Sequence, residues 1–323
     1  MKTTVIGAFP KISDAPGGQD LRKALHRFDS GEIDEAALAV VFDERTRDAI
    51  GELEAAGVDV INDGQIRWDD LFAPLARSWR NVSRGPLERF YDNNTYFRQP
   101  VIEGPIETDG TTFARDFAFA RRLAKRSEVK AAVPGPVTFA TLAQDRHYRS
   151  FEDRLLAAAD ALAAEVAALV SAGATIVDVE DPGLVAAPQH IESAREAYRR
   201  LAKAGPIAIQ TYFFPADSVL EALASFSAAQ VGIDLRSRET TALRRLDAFR
   251  TGTLVLGVVD ARNTRLETEA ELAALVDAAL RLVPQERLWI APTAGLEYLP
   301  HDVAMKKLEI LVRAARAGTE VTA

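Results

Sequence analysis

The chain has 323 residues, of which 48% are hydrophobic and 27% are charged, a composition typical of a soluble globular protein. Its net charge of -8 disfavours nucleic acid as a partner, because binding to phosphates needs a basic surface. No apolar run reaches the roughly 18 residues of a membrane span, and the chain starts with a predicted strand, not a signal peptide. The absence of cysteine excludes disulfides, thiol nucleophiles and thiolate metal sites. We therefore expect a cytoplasmic protein that binds neither nucleic acid nor membrane.

Eight short segments rich in apolar and β-branched residues alternate with helical stretches. Runs of this kind indicate a parallel sheet buried on both faces, and eight of them predict an α/β protein with a closed (β/α)8 TIM barrel. The predicted strands are residues 4–7, 58–63, 129–134, 175–181, 207–212, 231–234, 254–260 and 288–292. Functional groups in this fold collect at the carboxyl ends of the strands, so the last residues of each segment are the first candidates for a site.

Two long helices and one long irregular stretch stand out between these segments. Residues 34–56 and 151–172 have apolar residues at helical spacing, and each run is followed by a glycine, Gly57 and Gly173. Residues 80–110 are rich in Asn, Pro and Gly and predict an irregular insertion, a type of loop that is often functional. Since no linker or repeat interrupts the pattern, we expect a single domain over residues 1–323.

Polar side chains follow several predicted strands and are expected to converge on one rim of the barrel. Together with the irregular stretch, they predict a polar pocket for a small charged substrate, with carboxylates facing an ammonium group and arginine facing a carboxylate. Individually, an acidic residue at a strand-to-helix junction can instead cap the next helix. The candidate substrate-binding residues are Gln65, Asn94, Tyr96, Arg98, Glu180, Asp181, Tyr212, Asp234 and Asp260.

The adjacent acids Glu180 and Asp181 are the sharpest feature of this set. Two neighbouring carboxyls after a buried strand could shift each other's pKa and act as acid and base. Alternatively, one binds the substrate and the other caps a helix. We expect both to bind a substrate ammonium group.

A basic group near the start of the chain consists of Lys11, Arg22 and Lys23. These residues could bind an anionic tail such as a phosphate or a polyglutamate, or they could form a solvated helix face. None of the four histidines lies in a paired metal-binding spacing, so no metal ligand is predicted.

In this order and spacing, the motifs resemble the cobalamin-independent methionine synthase family, whose members transfer a methyl group from 5-methyltetrahydropteroyltriglutamate to homocysteine. The matching segments are residues 4–10, 63–67, 134–138, 179–182, 257–260 and 291–296. The resemblance implies a barrel like those of uroporphyrinogen decarboxylase and methionine synthase. In that family each of two halves is a barrel, and only the C-terminal half carries the zinc that activates the thiol.

The chain departs from the catalytic half at its zinc ligands. That half has a His-x-Cys pair after the fifth strand, a Glu near the sixth and a Cys after the eighth. The corresponding positions here are Tyr212-Phe213-Phe214, Asp234 or Leu235, and Ala294. Because Phe and Ala cannot bind zinc, we expect no metal held by the chain's own ligands.

Other segments are similar to the zinc-free N-terminal half, namely residues 90–96, 211–213, 232–236 and 258–263. The resemblance therefore implies a stand-alone version of that half, in which Lys11, Arg22 and Lys23 meet the glutamate tail of a methyltetrahydrofolate co-substrate. Three functions stay open. The first, which we expect, is methyl transfer to homocysteine or a related thiol, with a homologous chain supplying zinc. The others are a non-catalytic folate-binding or docking subunit, and a metal-free enzyme of the uroporphyrinogen decarboxylase superfamily.

Overall fold

The computed structural model describes residues 1–14, 17–91, 95–237 and 240–320, with side chains to residue 317. Its strands, β1 to β12, are Lys2–Thr3, Val60–Ile61, Arg80–Arg89, Tyr96–Glu107, Glu128–Val129, Ala131–Pro134, Gln144–Asp145, Val177–Glu180, Ile207–Gln210, Gln230–Asp234, Thr253–Val259 and Leu288–Pro292. Its α-helices, α1 to α11, are Asp20–Asp29, Glu35–Ala56, Ala73–Ser78, Ala114–Leu123, Pro136–Leu142, Phe151–Ser171, Gly183–Ala186, Ile191–Ala204, Leu220–Ala224, Glu269–Leu280 and His301–Glu320.

Seven strands form a curled parallel sheet in the order β1-β12-β11-β10-β9-β8-β6. The strand β2 pairs in parallel with β5, and an isolated parallel bridge joins Thr4 to Val60. The α/β class and the buried parallel sheet predicted from the sequence are confirmed. The first predicted segment is displaced, because β1 occupies Lys2–Thr3 and only Thr4 of residues 4–7 pairs with another strand.

The predicted long helices are present and end as expected. The side chain of Asp34 caps α2 by accepting a hydrogen bond from the backbone N–H of Ala37 at 2.8 Å, and Gly57 ends the helix with φ of 85°. In α6 the fully buried side chains of Leu155, Leu162 and Leu169 recur every seven residues, which places them on one face against the core. Within the described ranges, every helix is too short or too polar to cross a bilayer.

The prediction of an irregular insertion at residues 80–110 is wrong over most of that length. The strands β3 and β4 form an antiparallel hairpin, and β7 adds to it in parallel. Pairing slips between Arg80 and Val82 and again between Arg84 and Leu87. Such bulges let a hairpin accommodate glycine and proline, which hid the strand pattern in the sequence.

A buried ion pair lies in the interior of the curled sheet. The ammonium group of Lys130 is 2.5 Å from Oδ2 of Asp178, and both side chains are at most 1% exposed. The side-chain amide of Gln210 donates to Oδ1 of Asp178 at 3.1 Å. Because side chains alternate along a strand, Asp178 and Glu180 of β8 are on the same face, so the pair lies one layer below Glu180.

Replacing Lys130 by Met should strongly destabilise the fold, because it leaves the Asp178 carboxylate buried without a counter-charge. We expect a loss of about 3–5 kcal/mol in the free energy of unfolding, measured by urea denaturation. Adding Asp178→Asn to Lys130→Met should recover part of that loss. The matched control is Lys306→Met, which breaks an exposed pair with Asp302 and should cost less than about 1 kcal/mol. Equal losses for Lys130→Met and Lys306→Met would contradict the prediction.

Candidate functional site

A pocket with about 630 Å³ of empty space, partly open to solvent, lies at the carboxyl ends of β8 and β9 beside the β3–β4 hairpin. Its walls combine aromatic rings of the hairpin region with charged groups from the strand ends. The polar residues of its lining include Lys11, Gln65, Glu180, Tyr212, Glu297 and Tyr298, of which Gln65, Glu180 and Tyr212 are buried. This composition, an apolar wall with a few convergent polar groups, is typical of a small-molecule site.

Glu180 is the central acid of the pocket. It is 2% exposed, the side-chain amide of Gln65 donates to Oε1, and the hydroxyl of Tyr212 lies 3.4 Å from Oε2. The pKa of Glu180 is raised to about 8, mainly by burial and in part by the negative charges of Asp178 and Glu297. The sequence correctly brings Gln65, Glu180 and Tyr212 together.

A second acid, Glu297, was not among the sequence candidates. It lies in a short 3-10 turn after β12, where its backbone N–H donates to the carbonyl of Ala8 at 3.2 Å. The residue as a whole is exposed, and partial withdrawal of its carboxyl group from water raises its pKa. The residue follows the last strand by five positions, so a search confined to the strand ends misses it. The signal in the sequence was an acid directly after the matching segment 291–296.

Two glycines beneath these acids leave room for both. A Cβ on Gly7, which has φ of 65°, would lie 2.9 Å from the Cα of Gly295 and 3.6 Å from Oε2 of Glu180. A Cβ on Gly295 would lie 2.1 Å from Oε2 of Glu297. The close contact of the two backbones therefore requires glycine at these positions.

Asp181 has a different role from Glu180. Its carboxylate accepts hydrogen bonds from the backbone N–H groups of Val137 and Thr138 at 3.1 and 2.7 Å, from the Thr138 hydroxyl at 2.5 Å and from the Tyr198 hydroxyl at 2.8 Å. These donors hold the start of α5, and Asp181 is not part of the pocket wall. The geometry thus matches the second alternative, in which one acid faces the pocket and the other caps a helix.

Asp234 and Asp260 also cap turns. Asp234 accepts from the N–H groups of Arg236 and Ser237 at 2.7 and 3.0 Å. Asp260 accepts from the N–H of Arg262 at 2.8 Å and from the side chain of Asn263. Neither acid lines the pocket. Local donors therefore bind the oxygens of both acids, and their expected contact with substrate stays a prediction.

Some candidates on the hairpin and in the basic group line the pocket, and others are exposed outside it. Tyr96 lines the pocket mouth, whereas Arg98 is exposed and its backbone N–H donates to Oδ2 of Asp70 at 2.9 Å. Lys11 lines the pocket, whereas Arg22 and Lys23 are exposed on α1, where Lys23 pairs with Asp20 at 3.1 Å. Lys11 thus lies in the pocket wall and the other two residues on the helix surface, and their joint binding of a folate tail stays a prediction. Asn94 lies outside the described residues.

The turn that presents Tyr212 is strained and braced. Phe213 has φ of 74°, a left-handed conformation that is rare for an aromatic residue and typical of functional turns. Arg262 donates to the carbonyl of Phe213 at 3.3 Å, and its guanidinium lies 5.2 Å from the centre of the Phe213 ring. These contacts hold the turn that directs Tyr212 toward Glu180.

The residues at the zinc-ligand positions do not fit a zinc ion. Phe214 and Ala294 offer no donor atom, Tyr212 is directed toward Glu180, and the oxygens of Asp234 accept local hydrogen bonds. Over the part of the chain that the structure describes, no three His, Asp or Glu side chains form a group that could hold a metal ion.

Comparisons with known proteins agree on one family. Residues 1–317 match the family described as cobalamin-independent synthase, catalytic domain. A methionine synthase from Sulfurisphaera tokodaii is 27% identical over 99% of this chain and 93% of its own length. The matched family is described as a catalytic domain, so the greater likeness of this chain to the zinc-free N-terminal half stays a prediction.

Solved structures show a similar fold. A B12-independent methionine synthase from a Shewanella species, in complex with selenomethionine, has a TM-score of 0.86 at 18% identity and covers 99% of this chain and 98% of its own. A methyltransferase from Methanosarcina mazei has a TM-score of 0.64 at 14% identity, with 99% and 95% covered. At these identities the likeness concerns the fold.

The raised pKa of Glu180 predicts that stability falls as the pH rises. The folded protein keeps the Glu180 proton up to about pH 8, whereas the unfolded chain loses it near the ordinary value of 4.5. Between these values the folded state binds more protons, so the free energy of unfolding decreases, by about 1.4 kcal/mol per pKa unit at most. Glu180→Gln should flatten this decline in urea titrations from pH 5 to 9.

The control is Glu309→Gln, which changes an exposed glutamate on α11 and should leave the wild-type slope unaltered. If Glu180→Gln and the wild type declined in parallel, the Glu180 proton would not be retained in the folded state.

Proposed function

Because this chain belongs to the cobalamin-independent methionine synthase family, we propose that it acts in methionine biosynthesis, in methyl transfer from a folate-type donor to homocysteine or a related amino-acid thiol. The pocket around Glu180 binds the amino-acid substrate. The observation that carries the proposal is the buried acid of this pocket, held by Gln65 and Tyr212, at the strand ends of a chain from this family.

An ammonium group suits this pocket for an electrostatic reason. Glu180 is withdrawn from water, and burial opposes its ionisation. A substrate ammonium near Glu180 would supply the positive charge that the ionised form needs, in a charge-assisted hydrogen bond. Gln65 and Tyr212 orient the carboxyl for this contact, and the apolar wall accommodates the remaining side chain.

The proposal includes a partner. The chain does not have residues that fit zinc at the family's ligand positions, among them Phe214 and Ala294, so we propose that a zinc-bearing methionine synthase homologue supplies the metal. Thiol methylation assayed with this chain, with the homologue and with both together tests this point. Full activity of the homologue alone, unchanged on adding this chain, would count against the partnership.

A single (β/α)8 barrel domain over residues 1–323 is also part of the proposal. The bridge from Thr4 to Val60, the pairing of β2 with β5 and the hydrogen bond from the Lys130 N–H to the Ile61 carbonyl at 2.8 Å support a sheet that closes through β2.

A second candidate is a metal-free enzyme of the uroporphyrinogen decarboxylase superfamily. The observation that favours it is the buried acid Glu180, whose pKa of about 8 lies in a range suited to proton transfer, with a second acid, Glu297, in the same pocket lining. Turnover by chelator-treated protein without any partner would select this candidate over the first.

Titration calorimetry with methionine and homocysteine tests the proposed binding. We expect both to bind the wild type and to release protons below about pH 8, because an ammonium ligand favours the ionised form of Glu180. Proton release is measured by repeating the titration in buffers with different ionisation enthalpies. Affinity should rise as the pH increases toward 8.

Glu180→Gln should weaken binding by roughly 10- to 100-fold, since it removes a charge-assisted hydrogen bond of about 1.5–3 kcal/mol, and should abolish the proton release. Glu309→Gln should bind as the wild type does. The absence of binding heat with both amino acids would refute the proposed site.

A further inference from the structure

Lys11 is a half-buried cation of the pocket lining with unused hydrogen-bonding capacity. Its ammonium group donates to the backbone carbonyl of Trp68, and an ammonium group has three donors. No carboxylate of a described residue lies within ion-pair distance of its nitrogen. Burial lowers the pKa of Lys11, partly offset by the charge of Glu297. Because a half-buried ammonium group without a carboxylate partner is poorly solvated, binding of an anion next to it would stabilise its charge.

The backbone that carries Lys11 is fixed. Arg45, which is 8% exposed, donates from Nη2 to the carbonyl of Pro10 at 2.7 Å and from Nε to the carbonyl of Lys11 at 3.2 Å. The guanidinium of Arg45 also lies 5.7 Å from the ring centre of Phe9. Lys11 is therefore held at the pocket wall by its own turn and is not a freely solvated side chain.

The acids near Lys11 on the pocket rim are already occupied. Asp69 pairs with Arg77 at 2.5 Å and with Arg84 at 3.3 Å. Asp70 accepts hydrogen bonds from three backbone N–H groups, those of Phe72, Ala73 and Arg98, at 2.8–2.9 Å. Among the described residues, no cation lies within ion-pair distance of Glu297. The charge of Lys11 lowers the pKa of Glu297, and the charge of Glu297 raises the pKa of Glu180.

We infer that Lys11 determines the substrate class of this pocket: its ammonium group binds the carboxylate of an α-amino acid whose own ammonium group lies at Glu180. This inference rests on the proposed function and adds the residue that distinguishes an amino acid from a simple amine. It replaces the expected role of Lys11 in binding a folate tail, because the side chain lines the pocket and not the α1 surface that carries Arg22 and Lys23.

The charges of the pocket support a zwitterion. With Lys11 protonated and one of the two acids ionised, the empty pocket is close to neutral, and an incoming zwitterion adds no net charge. A simple amine would leave the Lys11 ammonium without an anion, and a simple acid would leave Glu180 without a cation. Each of these ligands loses one charge-assisted contact that the amino acid keeps.

Three ligands separate these contacts in calorimetric titrations of the full chain: methionine, the amine left when its carboxyl group is removed, and the acid left when its amino group is removed. We expect the wild type to bind methionine at least about tenfold more tightly than either fragment. Lys11→Met should weaken binding of methionine and of the acid by about tenfold or more and leave the amine unchanged. Glu180→Gln should show the opposite selectivity, weakening methionine and the amine.

Lys203→Met, a change of an exposed lysine on α8, is the matched control and should bind all three ligands like the wild type. If Lys11→Met weakened methionine and the amine equally, or weakened neither, the role of Lys11 would be disproved while the proposed function stood. A wild type that preferred the amine to methionine would overturn the inference without any variant. A wild type that bound none of the three would overturn both the inference and the proposed function.

Discussion

A carboxyl group withdrawn from water must be paired, hydrogen-bonded or protonated, and three acids at the end of β8 meet this requirement in three different ways. Asp178 pairs with Lys130 at 2.5 Å. Asp181 accepts four hydrogen bonds, three from the start of α5 and one from Tyr198. Among the described residues, the side chains of Gln65 and Tyr212 contact the Glu180 carboxyl, and burial raises its pKa to about 8. Among the described residues, Glu180 has neither the cation that Asp178 has nor the backbone donors that Asp181 has, and it is the acid that faces the pocket.

This division explains how far the sequence predicts the site. Short β-branched runs predict strands well, because buried parallel strands need apolar residues on both faces, and seven of the eight predicted segments contain a strand. The position of a strand end then places Glu180 and Tyr212 correctly. The sequence cannot tell which of two adjacent acids faces the pocket, because donors to Asp181 come from α5 and from Tyr198, which are remote in the chain. Only the assembled fold brings those donors to one carboxylate and leaves the other without them.

The other differences have a similar origin. Glu297 and Lys11 lie in turns whose course depends on close contact between Gly7 and Gly295 and on the hydrogen bonds of Arg45. The glycines are visible in the sequence, but the contact between segments almost 290 residues apart is not. The hairpin of residues 80–107 escaped prediction because its strands contain Gly and Pro at bulges, where local propensity opposes the pairing. In each case a long-range contact outweighs the local signal.

The pocket also bears on how a methionine synthase relative could work without metal ligands of its own. Phe214 and Ala294 at the ligand positions have no metal-binding side-chain atoms, whereas the pocket lining contains the acids Glu180 and Glu297 and the cation Lys11. Binding of a substrate and activation of its thiol are separate physical tasks, because the first needs charges that complement the ammonium and carboxylate groups and the second needs a group that stabilises a thiolate. Selection for the first task alone would preserve Glu180, Gln65, Tyr212 and Lys11 while leaving the ligand positions free to change. The side chains of this protein are consistent with that separation, because the pocket presents charged groups whereas Phe214 and Ala294 present an aromatic ring and a methyl group.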